Sequence, residues 1–362
     1  MKRRKFLTAA IGGGVAGLAA PAVATSSPTI RWRLGSNAPQ SLDTIYGTAK
    51  IMAGLVDRAT NGQFKIEVFA EGEIVPAGGI LDAVQNATLE MGHTASTFYI
   101  GKDVRLAFDT ALPFGLTARQ QIAWMYYGGG QALMQEVFDD YNIRVAPGGN
   151  SGAQMGGWFR KEVASLDDIK GLKMRIGGLS SQVLARLGAI PQQIPPGEIY
   201  PALEKGAIDA AEWIGPHDDE KLGLYKVAKY YYYPGFWEGN TQTSFYINKD
   251  KWASLPAEYQ AILESAMGHA GQTMTAKYDA DNPLALRRLL QSGAVLKAFP
   301  RDVLEAGYKT AFELYDEIAE KNPGFKKIYE SWREFRSNAL FWWPVAELSF
   351  EGFSASEARK KS

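Results

Sequence analysis

Ile80-Leu-Asp-Ala-Val-Gln-Asn-Ala-Thr-Leu-Glu-Met-Gly-His93 lies without a gap on Ile199-Tyr-Pro-Ala-Leu-Glu-Lys-Gly-Ala-Ile-Asp-Ala-Ala-Glu212. Ile80 meets Ile199, Ala83 meets Ala202, Val84 meets Leu203, Leu89 meets Ile208 and Glu90 meets Asp209. Each copy reads as a short helix, a small polar turn and a strand that opens on an apolar-acidic pair. Chance matching of a few apolar positions is the competing explanation. Upstream, Phe64–Phe69 alternates as a strand and has a counterpart in Ala189–Ile194, while Ile30–Leu34 has one in Leu172–Ile176. A helix over Ser41–Thr60 joins the first two strands, closed by Asn61-Gly62. The order β-α-β-α, met twice, predicts an α/β chain of two similar open sheets wrapped by helices.

Ligands of such sheets sit beyond the carboxyl ends of the strands, and two facing edges make a cleft. That rule selects Ser36-Asn37, His93–Tyr99, Arg175–Gly178 and Glu212–Gly215. Ile143–Ala146 is a further strand. Ala153–Phe159 is expected to cross between lobes and Ser244–Asn248 to cross back. Tyr230–Tyr233 and Phe236-Trp237 read as a packed strand and turn. From Pro256 onward the chain reads as almost all helical, punctuated into four segments by Pro283, Pro300, Pro323 and Pro344. The aromatic residues Trp332, Phe335, Phe341, Trp342 and Trp343 either pack on the lobes or form a subunit interface.

The 362 residues suit two lobes of about 150 residues each. Lys2, Arg3, Arg4 and Lys5 precede an apolar Gly- and Ala-rich run and Ala22-Val23-Ala24, which predicts an export signal over residues 1–24. Arg3-Arg4-Lys5-Phe6-Leu7 resembles a twin-arginine signal; an ordinary secretory signal fits the same residues. Removing it changes 39 basic and 39 acidic residues to 39 − 4 = 35 against 39, a net charge of about −4. No basic stripe for nucleic acid is present, and with no cysteine there are no disulfides, thiol nucleophiles or thiolate metal sites.

Arg175 closes an apolar run and is followed by Gly177-Gly178. Its guanidinium can clamp a carboxylate by two parallel hydrogen bonds; pairing with an internal acid is the alternative. Glu212, with Gln154, Gln242 and the Trp213 carbonyl, offers the oxygen ligands that suit a hard cation such as Na⁺ or Ca²⁺. A plain ion pair of Glu212 with Arg175 or a lysine competes with that reading. Phe98 and Tyr99 stand where they can wall a ligand from the opposite lobe, or simply pack in the core. His93, His217 and His269 lack zinc-motif spacing, and no Gly-x-Ser-x-Gly elbow or phosphate loop occurs.

Gly152-Ala-Gln154-Met-Gly-Gly-Trp158-Phe159, Leu166–Arg175, Ala211-Glu212-Trp213 and Phe245–Lys249 with Trp252 give the chain a resemblance to the solute-binding proteins of TRAP transporters. It is most similar to the branch that takes 2-oxo and 2-hydroxy monocarboxylates with a cation. The resemblance implies a two-lobed periplasmic binding protein fold with mixed sheets, a hinge and a helical C-terminal tail. The lobes would comprise residues 25–150 with part of 240–300, and 151–240, with helical segments over 250–362. It implies a substrate clamp at Arg175, a cation (Na⁺ or Ca²⁺) on Gln154, Glu212, Trp213 and Gln242, and ligand contacts from Phe98, Tyr99, Gln154 and Trp213. It also implies TRAP membrane permease subunits as partners, a homodimer through the tail, a periplasmic location and no catalysis. Phe98 departs from the tyrosine expected in part of the branch. An exported hydrolase or lyase using Glu212 as base remains the competing reading.

Overall fold

The computed structural model describes residues 28–360, so the expected export signal at 1–24 lies outside the described residues. Its strands are β1 (Ile30–Ser36), β2 (Phe64–Phe69), β3 (Met91–Thr94), β4 (Ile143–Asn150), β5 (Gly157–Phe159), β6 (Lys173–Arg175), β7 (Ile190–Gln192), β8 (Ala210–Ala211), β9 (Tyr230–Tyr233), β10 (Gln242–Asn248) and β11 (Val295–Ala298). They form two mixed sheets, in the orders β2-β1-β3-β10-β4 and β11-β9-β5-β8-β6-β7. Each sheet has three parallel strands, then an antiparallel strand delivered by the opposite half of the chain, then a strand antiparallel to that one. The chain therefore crosses between lobes at residues 151–156, overlapping the first expected crossing, and back at 234–241, ahead of the expected Ser244–Asn248, which instead lies within β10 of the first sheet.

The repeat is visible in individual hydrogen bonds. Leu89 N–H donates to the Ala83 carbonyl at 3.0 Å, and Ile208 N–H to the Ala202 carbonyl at 3.4 Å. Glu90 Oε2 accepts from Arg33 N–H at 2.8 Å, and Asp209 Oδ2 from Lys173 N–H at 3.1 Å. The polar turn needs a left-handed residue, supplied by Gly206 (φ 70°) in the second copy and by Ala87 (φ 55°) in the first. The upstream matches are two residues out. Leu34 pairs with Met91 and Met174 with Ala210, so Leu34 corresponds to Met174 rather than to Ile176. A shift of two keeps every side chain on its own face, and hydrophobic alternation cannot detect it.

Alternation also divides the core of the second lobe. Trp158 and Tyr231 stack at 4.0 Å on one face, while Phe159 and Tyr232 pack with Phe299 on the other. The helix Ile45–Ala59 begins four residues later than expected and buries Met52, Ala53 and Val56 against the first sheet. The tail corrects the reading twice. Pro283 does not interrupt it: one helix runs through Ala257–Gln291, because its first half packs on the first lobe (Tyr259, Leu263, Met267) and its second on the other (Met274, Tyr278, Leu289). It also contains a strand, β11, parallel to β9. The helices Arg301–Lys321 and Pro323–Trp342 bury Leu314, Tyr315, Phe325 and Trp332. Phe341 and Trp342 at the end of the second of these helices, and Val345, Leu348, Phe350 and Phe353 on the turn and helix that follow it, are exposed. Of the tail's aromatic residues, Trp332 and Phe335 pack with the first-lobe core, Phe341 and Trp342 are exposed, and Trp343 lies under the Arg119 guanidinium at 4.7 Å. Among the described residues no helix is long and apolar enough to cross a membrane.

Candidate functional site

The carboxyl ends of β1, β3, β6 and β8, with the two crossing segments, line a cavity of about 40 Å³. Asn37, Thr97 and Phe98 reach it from the first lobe, Arg175, Glu212 and Trp213 from the second, and Ser151, Gln154, Glu238 and Thr241 from the crossings. The lobes approach closely here. A Cβ on Gly178 (φ 66°) would stand 2.7 Å from Thr97 Oγ1, so glycine is required on two counts. Thr44 of the first lobe donates to Asp218 of the second at 2.8 Å, and Asp43 pairs with Lys221 and His217.

Arg175 is 4% exposed at the end of β6. Its Nε donates to the Ile194 carbonyl at 3.1 Å, and its Nη1 to the Glu212 carbonyl at 2.7 Å and to Glu212 Oε1 at 2.5 Å. The guanidinium lies 5.0 Å from the Trp213 ring. Among the described residues Nη2 has no hydrogen-bond partner. The internal ion pair weighed from the sequence therefore exists, and it leaves one donor edge of the arginine toward the cavity.

Glu212 is 2% exposed, and its second oxygen, Oε2, is buried with no partner. Burial pushes this carboxyl well above the usual carboxylate range, opposed by Arg175 and reinforced by the neighbouring Glu238. Gln154 spends its amide N–H groups on Ser151 Oγ (3.1 Å) and Thr241 Oγ1 (2.8 Å), which leaves Oε1 buried and unpartnered. Two orphaned oxygens line one cavity, one anionic and one amide. That donor set fits a hard, oxygen-seeking cation. Among the described residues no three His, Cys, Asp or Glu side chains cluster as metal ligands, so any cation would rest on mixed carboxylate, amide and carbonyl oxygens.

Phe98 lines the cavity, but its neighbour Tyr99 does not. The tight turn Ser96–Tyr99 sends Tyr99 into the first-lobe core, where its hydroxyl meets Thr94 Oγ1 at 2.9 Å and donates to the Ala77 carbonyl at 3.1 Å. Gln242 is also off the cavity. Thr243 faces the cavity, so strand alternation turns Gln242 away, where its Nε2 donates to the Asp109 carbonyl at 3.0 Å. Gln242 and Gln154 are structural equivalents all the same: each stands four residues before the residue paired with Gly92 (Tyr246) or Ala211 (Trp158). His93 and Glu212, the last residues of the repeat, are equivalents too. His93 is fully buried between Gly148 and Thr243, and burial pushes its ring down to about 4, so that it is neutral. His217, Asp218 and Asp219 are structural: Asp219 accepts from Trp158 Nε1 at 3.0 Å and from the Tyr231 hydroxyl at 2.7 Å, and Asp218 from Tyr278 at 2.7 Å. Sequence reasoning missed Glu238, Thr241 and Ser151. The one available signal was an acid set among Phe236, Trp237 and Gly239 in an apolar stretch.

The profile described as bacterial extracellular solute-binding protein, family 7, matches residues 34–322. The chain belongs to this family. These are the solute-binding proteins of TRAP transporters, and the two mixed sheets with a helical C-terminal extension are their architecture. A monocarboxylate 2-oxoacid-binding periplasmic protein of Nostoc sp. is 48% identical over 98% of this chain and 100% of its own length. A TRAP solute-binding protein of Bordetella bronchiseptica, crystallised as a mixed-occupancy dimer with copurified calcium and picolinate, is 50% identical with a TM-score of 0.91, over 92% of this chain and 100% of its own. One from Pseudoalteromonas atlantica, with bound sodium and pyruvate, is 39% identical with a TM-score of 0.87, over 90% and 99%.

Proposed function

We propose that this chain captures a 2-oxo or 2-hydroxy monocarboxylate of about the size of pyruvate or lactate together with Na⁺ or Ca²⁺. It does so in the periplasm, passes the ligand to TRAP membrane permease subunits and catalyses no reaction. The observation that carries the reading is the facing arrangement of a free Arg175 Nη2 and two orphaned oxygens, Glu212 Oε2 and Gln154 Oε1, in one buried cavity. The arginine holds the ligand carboxylate through that free edge. Glu212, Gln154 and the Trp213 carbonyl hold the cation, which screens the carboxylate from Glu212. Phe98 covers the carbon chain from the first lobe. The division into lobes at 25–150 with part of 240–300, and 151–240, belongs to the same proposal. Closure is favoured by ligand because only the closed form offers contacts from both sides. The ligands and cations named for the Nostoc, Bordetella and Pseudoalteromonas relatives support this reading.

The exposed apolar residues of the last helix support a homodimer through the tail, and the Bordetella relative is described as a dimer. A hydrolase or lyase would need an acid-base group free to move protons, but Glu212 is tied to Arg175. Calorimetric titration of the cation-stripped protein with pyruvate, with and without added Na⁺ or Ca²⁺, tests the proposal. Cation-dependent heat is expected; no binding of any short 2-oxo or 2-hydroxy acid with either cation would overturn it.

A further inference from the structure

Three formally charged side chains line the cavity: Arg175, Glu212 and Glu238. Arg175 and Glu212 neutralise each other at 2.5 Å. Glu238, 7% exposed, is the second acid; burial raises its carboxyl too, and in the ionised form that a bound cation favours it stands as an excess negative charge, which no lysine or histidine among the described lining residues balances. It comes from the return crossing rather than from β8. Its Oε2 accepts from Thr241 Oγ1 at 2.7 Å, and that hydroxyl in turn accepts from Gln154 Nε2 at 2.8 Å. The relay fixes the Gln154 amide so that its oxygen is the end left free. Glu238 thus acts on the candidate cation site twice, through its charge and through the orientation of Gln154.

A monocarboxylate entering this cavity brings the total to two negative charges. A monovalent cation would leave one of them uncompensated in a buried space, and a divalent cation would leave none. We propose that Glu238 sets the charge of the cation this site accepts, making it selective for a divalent ion such as Ca²⁺ over Na⁺. The inference rests on the proposed capture of a carboxylate with a cation, and it adds a residue outside the cation's own ligands. Glu238→Gln keeps the shape and the bond from Thr241 while removing the charge, so the altered cavity would be balanced by a monovalent ion.

Pyruvate titrations of the cation-stripped full-length mature chain test it. The wild type should bind pyruvate on the order of 100-fold more tightly with Ca²⁺ than with Na⁺, as expected for one unit charge acting through a few ångströms of buried protein. E238Q should lose most of that ratio while still binding pyruvate with Na⁺. A ratio unchanged in E238Q, or a wild type equally served by Na⁺, overturns the proposal. Failure of the capture reading itself looks different: no heat with pyruvate under either cation. Should E238Q not fold, the wild type still decides. Tb³⁺ luminescence sensitised by Trp213 should be quenched by Ca²⁺ and not by matched ionic strength of Na⁺; equal displacement by Na⁺ refutes the assignment.

Discussion

Replacing Arg175 by methionine separates what this side chain does for the fold from what it does for the ligand. In the wild type its guanidinium supplies three hydrogen bonds to the protein, at 2.5 to 3.1 Å, and is, among the described residues, the only cation lining the cavity beside Glu212. Removing one partner of a buried ion pair costs about 3–5 kcal/mol, because the other is left charged and desolvated. Glu212 can escape part of that cost by taking a proton, since burial already pushes its carboxyl up. The loss in Arg175→Met should therefore be near the low end, about 3 kcal/mol. The ligand loses a charge-assisted hydrogen bond from Nη2, worth about 1.5–3 kcal/mol, together with the attraction of the whole charge, so affinity should fall by at least 100-fold. The double variant Arg175→Met/Glu212→Gln removes both charges and should recover most of the stability but none of the affinity. Urea unfolding followed by tryptophan fluorescence gives the first quantity and calorimetry with pyruvate and Ca²⁺ the second. Binding in Arg175→Met within a few fold of wild type, or a double variant no more stable than the single one, would refute the assigned roles.

Ala87 is exposed at φ 55°, where its repeat partner is Gly206, so Ala87→Gly should raise stability by about 1 kcal/mol in urea unfolding. Asp109 is buried among Ser96, Ser244 and Gln242, and burial pushes it up from 3.8 to about 7. A folded-state value above the unfolded one means that stability is fully present below about pH 4 and is lost as pH rises through 7. Asp109→Asn cannot titrate, so its stability relative to wild type should rise by a few kcal/mol between pH 4 and pH 8; parallel pH profiles would contradict this. Removing residues 344–362 deletes exposed apolar side chains and no core residue, so light scattering should find a monomer whose pyruvate affinity is unchanged.

The repeat was legible because its two copies share a helix period, a turn and a strand start, and each of these is written in residue type. The acid that follows Leu89 or Ile208 proved to accept from a backbone N–H of the neighbouring strand in both copies, so even that pairing was meaningful. Arg175, Glu212 and Gln154 could be found because polar groups at strand ends or in crossings of open sheets have few other places to go. Tyr99 and Gln242 were misplaced for a geometric reason. A tight turn and a strand each send adjacent residues to opposite sides, and one-residue phase is not encoded in composition. Glu238 was hidden by its aromatic neighbours. Pro283 read as a break because the local cost of proline is visible in sequence, whereas packing on two lobes at once is not.

The exchange of strands between the two sheets also constrains how the protein is made. Until residues 242–248 emerge from the ribosome, β3 and β4 have a vacant slot between them, since β10 is the strand that joins them. The amino-terminal portion cannot mature first and wait for the rest, because its sheet is closed by a piece synthesised after nearly the whole second lobe. The halves are interlocked, and biogenesis becomes a single late event rather than two sequential ones, slow for the chain's size. A growing chain with an open slot is also a template for a stray strand from another molecule. A cut at residue 150 should yield two fragments that are each insoluble alone and recover structure only when mixed.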